Sequence, residues 1–162
     1  MFPENSFRGK STYSDNKQET PDSERGKVLD DKEDLIRLRL PADPFSQQVI
    51  RLAVYMIGSR MEFNLAQLED LRIAVDEASS FTLSHTPGDG KIQVEIGPGE
   101  EYLEIILISI PSTDCQGHLA MPASLSRLIM ESVVDAVDIK NEEDLCRISL
   151  RKKSPFQEVS TI

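Results

Sequence analysis

Few side chains in this sequence have the type and spacing that catalysis or metal binding requires. The histidines and cysteines are His85, Cys115, His118 and Cys146, and they form neither a CxxC pair nor a mixed cluster. Zinc sites and disulfide frameworks need such spacing, so the sequence predicts neither. Cys115 and His118 lie close together and could suggest a reactive thiol, but no paired base or oxyanion motif accompanies them. We interpret His85 as a helix-end cap and Cys146 as a core residue.

Charge and hydropathy limit the classes of function. The chain has 162 residues and a net charge of −10. A nucleic-acid surface needs concentrated positive charge, so this acidity argues against direct nucleic-acid binding. It fits a basic protein partner, or simply a soluble acidic domain. No apolar run approaches the roughly 18 residues of a membrane span, and the N-terminus lacks a hydrophobic signal core. We therefore predict no membrane contact and a cytoplasmic location.

The apolar residues are unevenly spread along the chain. Residues 1–30 contain only six of them among eleven charged residues, too few to offset the entropy of ordering the segment. We predict a disordered leader at 1–30, a folded domain at 31–153 and a tail at 154–162. Residues 31–162 carry 13 basic and 22 acidic residues, a net charge of −9, so the acidity belongs to the folded part.

The first half of the folded domain has the pattern of one strand and two helices. Apolar and basic residues alternate within 35–40, which is typical of a half-buried strand. Asp43 can cap the next helix, 45–60, whose wide apolar face has to pack on two sides. Asn64 and the Gln three residues later form a capping-box pattern that opens a second helix, 64–85. The buried stripe of this helix is predicted to be Leu65, Leu68, Leu71, Val75, Ala78 and Phe81.

The second half has the pattern of a hairpin, a helix and a last strand. Strands at 91–96 and 102–110 flank a turn and should pair, with the nearly continuous apolar strand 102–110 in the centre of the sheet. A third helix is predicted at 123–137, with an apolar face of Leu125, Leu128, Ile129, Val133, Val134 and Val137. An acidic turn at 141–144 precedes the last strand, 145–150. This order predicts an α/β two-layer sandwich, in which a mixed four-stranded sheet carries three helices on one face.

Several sequence blocks resemble a known family. They are LPADP at 40–44, IRL at 50–52, SRM at 59–61, LEDLRIAVDEA at 68–78 and IMESVVDAV at 129–137. These blocks resemble the anti-sigma serine kinases, and the resemblance covers roughly residues 35–152. It implies the ATPase fold shared by histidine kinases and heat-shock protein 90, with ATP and Mg²⁺ as cofactors. It also implies partner switching, in which a family member holds a sigma factor and phosphorylates a serine of an anti-anti-sigma protein.

The family's nucleotide motifs are changed in this chain. The resemblance places the catalytic Glu at Glu77, but Phe81 stands at the Mg²⁺-binding Asn and offers a cation no oxygen. Ser109 stands where the family has an adenine-binding Asp. Pro111 and Thr113 replace the two glycines that follow it. A proline at the first of these positions removes both flexibility and an N–H donor.

Two further motifs are changed as well. Ser124 and Ser126 replace the glycines whose backbone amides cradle phosphates in the family, and Leu145-Cys146 replaces a Gly-Thr pair. The connection between Ser109 and Ser124 is also short beside the family's nucleotide lid. We therefore predict a pseudokinase that binds no nucleotide, metal or other cofactor, in which Glu77 is a relic or a weak base.

The family's partner surface lies on the first helix, which implies Gln47 and Arg51 as partner-binding residues. Arg51 fits equally well as an arginine whose stem lies along an apolar face. The same helix allows a homodimer contact, since family members form dimers. We predict a regulator that binds a sigma factor or an anti-anti-sigma protein without ATP-dependent kinase activity. A divergent but active serine kinase that uses Glu77, and a sensor that binds another small molecule, are the alternatives.

Overall fold

The computed structural model describes residues 35–86, 88–110, 123–142 and 145–155. Within these ranges the elements are β1 (Ile36–Pro41), α1 (Pro44–Arg60), α2 (Leu65–Ser84), β2 (Lys91–Pro98), β3 (Tyr102–Ile110), α3 (Ala123–Glu131), β4 (Ala136–Glu142) and β5 (Leu145–Lys153). The strands form one sheet in the order β1-β2-β3-β5-β4. The helices cover one face of this sheet, which confirms the predicted α/β two-layer architecture.

The nearly continuous apolar strand, β3, lies in the centre of the sheet as its sequence predicted. It pairs with β2 on one side and β5 on the other, so that Ile105 lies between Ile96 and Leu150. Side chains alternate between the two faces of a strand, and those on the helix side form the core. The fully buried members of this set are Ile92, Val94, Ile96, Leu103, Ile105, Leu107, Ile148 and Leu150.

Both long helices begin at the caps that the sequence predicts. Asp43 Oδ1 accepts a hydrogen bond of 3.0 Å from the backbone N–H of Ser46, and Pro44 occupies the first turn of α1. At the start of α2, Asn64 Oδ1 accepts from the Gln67 N–H at 2.9 Å. Gln67 Oε1 in turn accepts from the Asn64 N–H at 3.0 Å. This reciprocal pair confirms the capping box.

The two long helices pack closely near the end of α1. A Cβ atom at Gly58 would lie only 2.9 Å from Leu68 Cδ2, so glycine allows this approach. The predicted buried stripe of α2 is confirmed from Leu68 to Phe81. The prediction was wrong for the first residue of the stripe. Leu65 is 76% exposed, because it lies at the start of α2, one turn before the contact between Leu68 and Gly58.

The third helix and the sheet differ from the sequence prediction. α3 ends at Glu131, and Ala136–Glu142 forms β4, so the sheet has five described strands. All neighbouring pairs are antiparallel, and the expectation of a mixed four-stranded sheet was wrong. Val137 follows Val133 and Val134 at helical spacing, but it also alternates with Ile139 as in a strand. Pairing with β5, in which Ile139 lies opposite Ile148, favours the strand over the helix.

The shorter α3 also changes which side chains are buried. Leu125 and Leu128, expected on the apolar face, are each 64% exposed. Ser126 and Met130 are buried instead, because they lie one turn apart on the side of α3 that meets the core. The connection predicted at 141–144 is shorter than expected, because β4 ends at Glu142 and β5 begins at Leu145.

Several predictions concern residues outside the described ranges. The leader 1–30 and residues 156–162 of the tail belong to this group, as do Cys115 and His118. Those predictions stay predictions. Among the helices that the structure describes, none combines the length and the apolar character needed to cross a bilayer.

Candidate functional site

Glu77, Phe81 and His85 follow one another at one-turn intervals along α2 and its C-terminal cap. The Phe81 ring is 2% exposed and lies 4.1 Å from the His85 ring, centroid to centroid. His85 Nδ1 lies 2.7 Å from the Phe81 carbonyl oxygen. A carbonyl only accepts, so Nδ1 carries the proton and donates it. His85 thus caps the end of α2 as predicted, and the buried Phe81 ring packs against it.

Glu77 lies one turn before Phe81 and is half-buried. It forms no hydrogen bond or ion pair with another described residue. In the same part of the chain, no group of three or more His, Cys, Asp and Glu side chains is arranged to hold a metal ion. The Glu77 carboxylate is therefore unpaired within the described ranges, and the Phe81 side chain one turn later supplies no oxygen for a cation.

Ser109 and Cys146, which stand at two of the changed motifs, lie side by side on β3 and β5. Ser109 Oγ accepts a hydrogen bond of 2.9 Å from the backbone N–H of Cys146. Both residues are at most 2% exposed. Burial raises the pKa of the Cys146 thiol to about 11, so the thiol stays protonated at neutral pH. Cys146 is therefore an unreactive core residue, as predicted.

Ser124 and Ser126, which the resemblance places at phosphate-binding glycines, lie in the first turn of α3. Ser126 is 2% exposed, whereas Ser124 is exposed. Pro111 and Thr113 lie outside the described residues. The structure thus buries Phe81, Ser109, Ser126 and Cys146, and it brings Ser109 together with Cys146.

Arg51 takes part in an ion pair between the two long helices. Its Nε donates to Asp76 Oδ1 at 2.7 Å, while Arg72 Nη1 donates to Asp76 Oδ2 at 3.2 Å. Arg72 also binds Glu69, which raises the pKa of the Arg72 guanidinium. Gln47 lies one turn before Arg51 on α1 and is half-buried. Sequence reasoning missed Asp76, because no local signal joins residues 25 positions apart.

One side of α1 is uncovered by the described residues. Ile50 and Val54 face the core, but four large apolar side chains are exposed: Phe45 at 67%, Leu52 at 65%, Tyr55 at 44% and Met56 at 66%. Phe45, Leu52 and Met56 are spaced by seven and four residues, so they lie along one line of the helix, which we call the apolar row of α1. The expected second packing contact of this helix is thus not made by any other described residue.

The chain resembles curated proteins over part of its length. It is 35% identical over 77 residues to the serine-protein kinase RsbW of Bacillus velezensis, which covers 46% of this chain and 48% of that protein. It is 40% identical over 75 residues to the serine-protein kinase RsbW of Listeria innocua, covering 44% and 48%. The chain thus spans about half the length of the curated relatives it matches. No protein-family model matches it.

A solved structure has a similar fold. It is the crystal structure of the RsbU and RsbW domains of a Mycobacterium tuberculosis protein, with a TM-score of 0.57 and 14% sequence identity. The match covers 73% of this chain and 32% of that chain, and at this identity it shows the fold alone. The sequence relatives and the fold agree. The chain is therefore related to the serine-protein kinases RsbW, and the resemblance to the anti-sigma serine kinase family is confirmed.

Proposed function

We propose that this chain is an anti-sigma-type partner-switching regulator that binds a sigma factor or an anti-anti-sigma protein over α1. The observation that carries the proposal is the apolar row of α1, formed by Phe45, Leu52 and Met56. Large contiguous apolar patches are rare on the surface of monomeric domains and mark sites of association. Arg51, held by Asp76 on the neighbouring helix, is a fixed cation on the same helix. A buried apolar centre with charged residues around it is the usual composition of a protein interface.

The regulator acts without ATP-dependent phosphorylation. A hard cation such as Mg²⁺ needs oxygen ligands, and Phe81 provides a buried ring packed on His85 instead. Ser109, at the adenine-binding position, already accepts a hydrogen bond from Cys146. These side chains serve the core, which supports a loss of nucleotide binding. A divergent active kinase is the second candidate, and the observation that favours it is the unpaired carboxylate of Glu77.

Affinity purification from the cells of origin, followed by titration with the purified partner, tests the binding surface. We expect the partner to be a sigma factor or an anti-anti-sigma protein in the cytoplasm. Leu52→Asp should abolish its binding, because a charge replaces an apolar contact. Leu128→Asp is the matched control, since Leu128 is similarly exposed on α3. If Leu52→Asp does not lose more affinity than Leu128→Asp, the assignment to α1 is wrong.

Two further measurements separate the competing explanations. Incubation of the full chain with labelled ATP·Mg²⁺ and the purified partner should give no phosphoserine. Phosphate transfer that disappears in Glu77→Gln would establish the active kinase instead. Light scattering of wild type and Leu52→Asp tests a homodimer: a dimer that dissociates in the variant would assign the apolar row of α1 to a second copy of the chain.

A further inference from the structure

The face of the sheet that points away from the helices carries a row of unbalanced positive charge. Arg39, Gln93, Ile108, Arg147 and Lys140 lie opposite one another in turn across all five strands, and we call them the basic row. Three of the five are cations and none is an acid. The row is thus a local excess of positive charge in a chain whose net charge is −10.

Other cations on the same face of the sheet are neutralised by nearby acids. Arg37 Nε lies 3.4 Å from Glu95 Oε1, and Arg151 Nε lies 2.9 Å from Glu104 Oε1. The bond to Glu104 raises the pKa of the Arg151 guanidinium, which also lies 5.1 Å from the centre of the Tyr102 ring. By contrast, the side chains of Arg39, Lys140 and Arg147 form no ion pair or hydrogen bond with another described residue.

Lys140 and Arg147 are direct partners on β4 and β5. Like charges directly opposite each other destabilise a sheet, and neither side chain forms an ion pair with another described residue. The pair lines a trough of about 340 Å³, together with Ser149 and the buried Glu104. The trough also contains Asp138, which acts electrostatically on Arg151. A concave site with two unpaired, adjacent cations is suited to an anion.

We propose that the basic row and its trough bind an acidic segment of a protein partner. The carboxylates of the segment would lie between Lys140 and Arg147. A small free anion would leave the neighbouring apolar surface without a contact. Leu145, on the same face as Arg147, is 43% exposed, and Ile108, which lies opposite Arg147, is half-buried. A segment that alternates acidic and apolar side chains matches both features. This site lies on the opposite face of the sheet from the helix layer and does not rest on the proposed binding over α1.

A labelled peptide in which Glu alternates with Val serves as the probe, and fluorescence anisotropy with the full chain measures its affinity. Arg147→Glu and Lys140→Glu should each weaken binding by about tenfold or more. Either change also replaces a like-charge pair across the strands by an opposite pair, so Tm should stay equal or rise. A variant that binds poorly and melts no lower than wild type separates loss of the site from loss of the fold.

Arg127→Glu is the matched control, because it makes the same charge change on α3, away from the sheet. If this variant loses as much affinity for the peptide, the effect comes from the net charge of the chain and not from the basic row. That result would overturn the proposal. Inorganic phosphate that displaces the peptide at equal concentration, or an oligonucleotide that binds more tightly, would assign the row to another ligand. The chain's own acidic residues Asp30, Asp31, Glu33 and Asp34 are a competing occupant. If the peptide binds only after these four acidic residues are replaced by neutral ones, the proposal is also overturned.

Discussion

Replacing Phe81 with Asn introduces the side chain that the family resemblance implies for Mg²⁺ binding, and it tests whether this position can still take part in a nucleotide site. The ring is 2% exposed and packs on His85 at 4.1 Å. Loss of a buried Phe side chain costs about 3–5 kcal/mol, and an unsatisfied buried amide adds about 1–3 kcal/mol. Against a total stability of about 5–15 kcal/mol, Tm should fall steeply. ATP·Mg²⁺ should not raise it again, because a ligand stabilises only the state that it binds.

Differential scanning calorimetry with and without ATP·Mg²⁺ measures both effects. Phe81→Leu is the control, since it leaves a smaller cavity and introduces no amide, so its Tm should fall less. The reasoning requires the Asn variant to be the less stable of the two and indifferent to nucleotide. An Asn variant as stable as wild type, or one whose Tm rises with ATP·Mg²⁺, would show that the site is still open.

Three other changes give measurable outcomes. Arg51→Gln should weaken binding of the identified partner in a calorimetric titration but cost no more than about 1 kcal/mol of stability, while Arg127→Gln leaves binding unchanged. Lys152 donates to Asp70 at 2.9 Å and to the Val133 carbonyl at 2.7 Å. Lys152→Met should therefore lose about 1.5–3 kcal/mol in urea unfolding, against about 0.5 kcal/mol or less for Lys153→Met. The Cys146 thiol has its pKa raised from 9.0 to about 11, so the stability it confers below pH 9 is lost as pH rises towards 11. Urea unfolding at several pH values should show this loss in wild type and a flatter profile in Cys146→Ala.

Short-range sequence patterns were sufficient to predict where the two long helices begin. Asp43 and the Asn64–Gln67 pair each bond to backbone within three residues, so a capped helix can be predicted from the sequence alone. The central position of β3 followed from its apolar sequence, because a strand that is buried on both sides has few polar residues. The burial of Phe81 also followed, from its place in the stripe that begins at Leu68.

Features that depend on distant pairing could not be predicted in this way. Val137 fits both the helical spacing of Val133 and Val134 and the alternation of a strand, and β5 has to be in place before the strand is favoured. The Arg51–Asp76 ion pair needs two helices to pack before its atoms meet. The basic row is a similar case, because Arg39 and Lys140 lie on opposite edge strands and join one row only once all five strands have paired.

Four positions that the resemblance assigns to nucleotide binding, Phe81, Ser109, Ser126 and Cys146, are buried in the core, and this bears on how easily nucleotide binding could return. Phe81 packs on His85, and Ser109 holds the backbone of Cys146. Reverting one position breaks one of these contacts before the other ligand groups exist, so each single reversion lowers stability without restoring affinity. A stabilised background that tolerates several such losses is therefore the setting in which combined reversions can be tested. If the full set still fails to bind ATP·Mg²⁺ there, the changed motif residues alone do not account for the loss of binding.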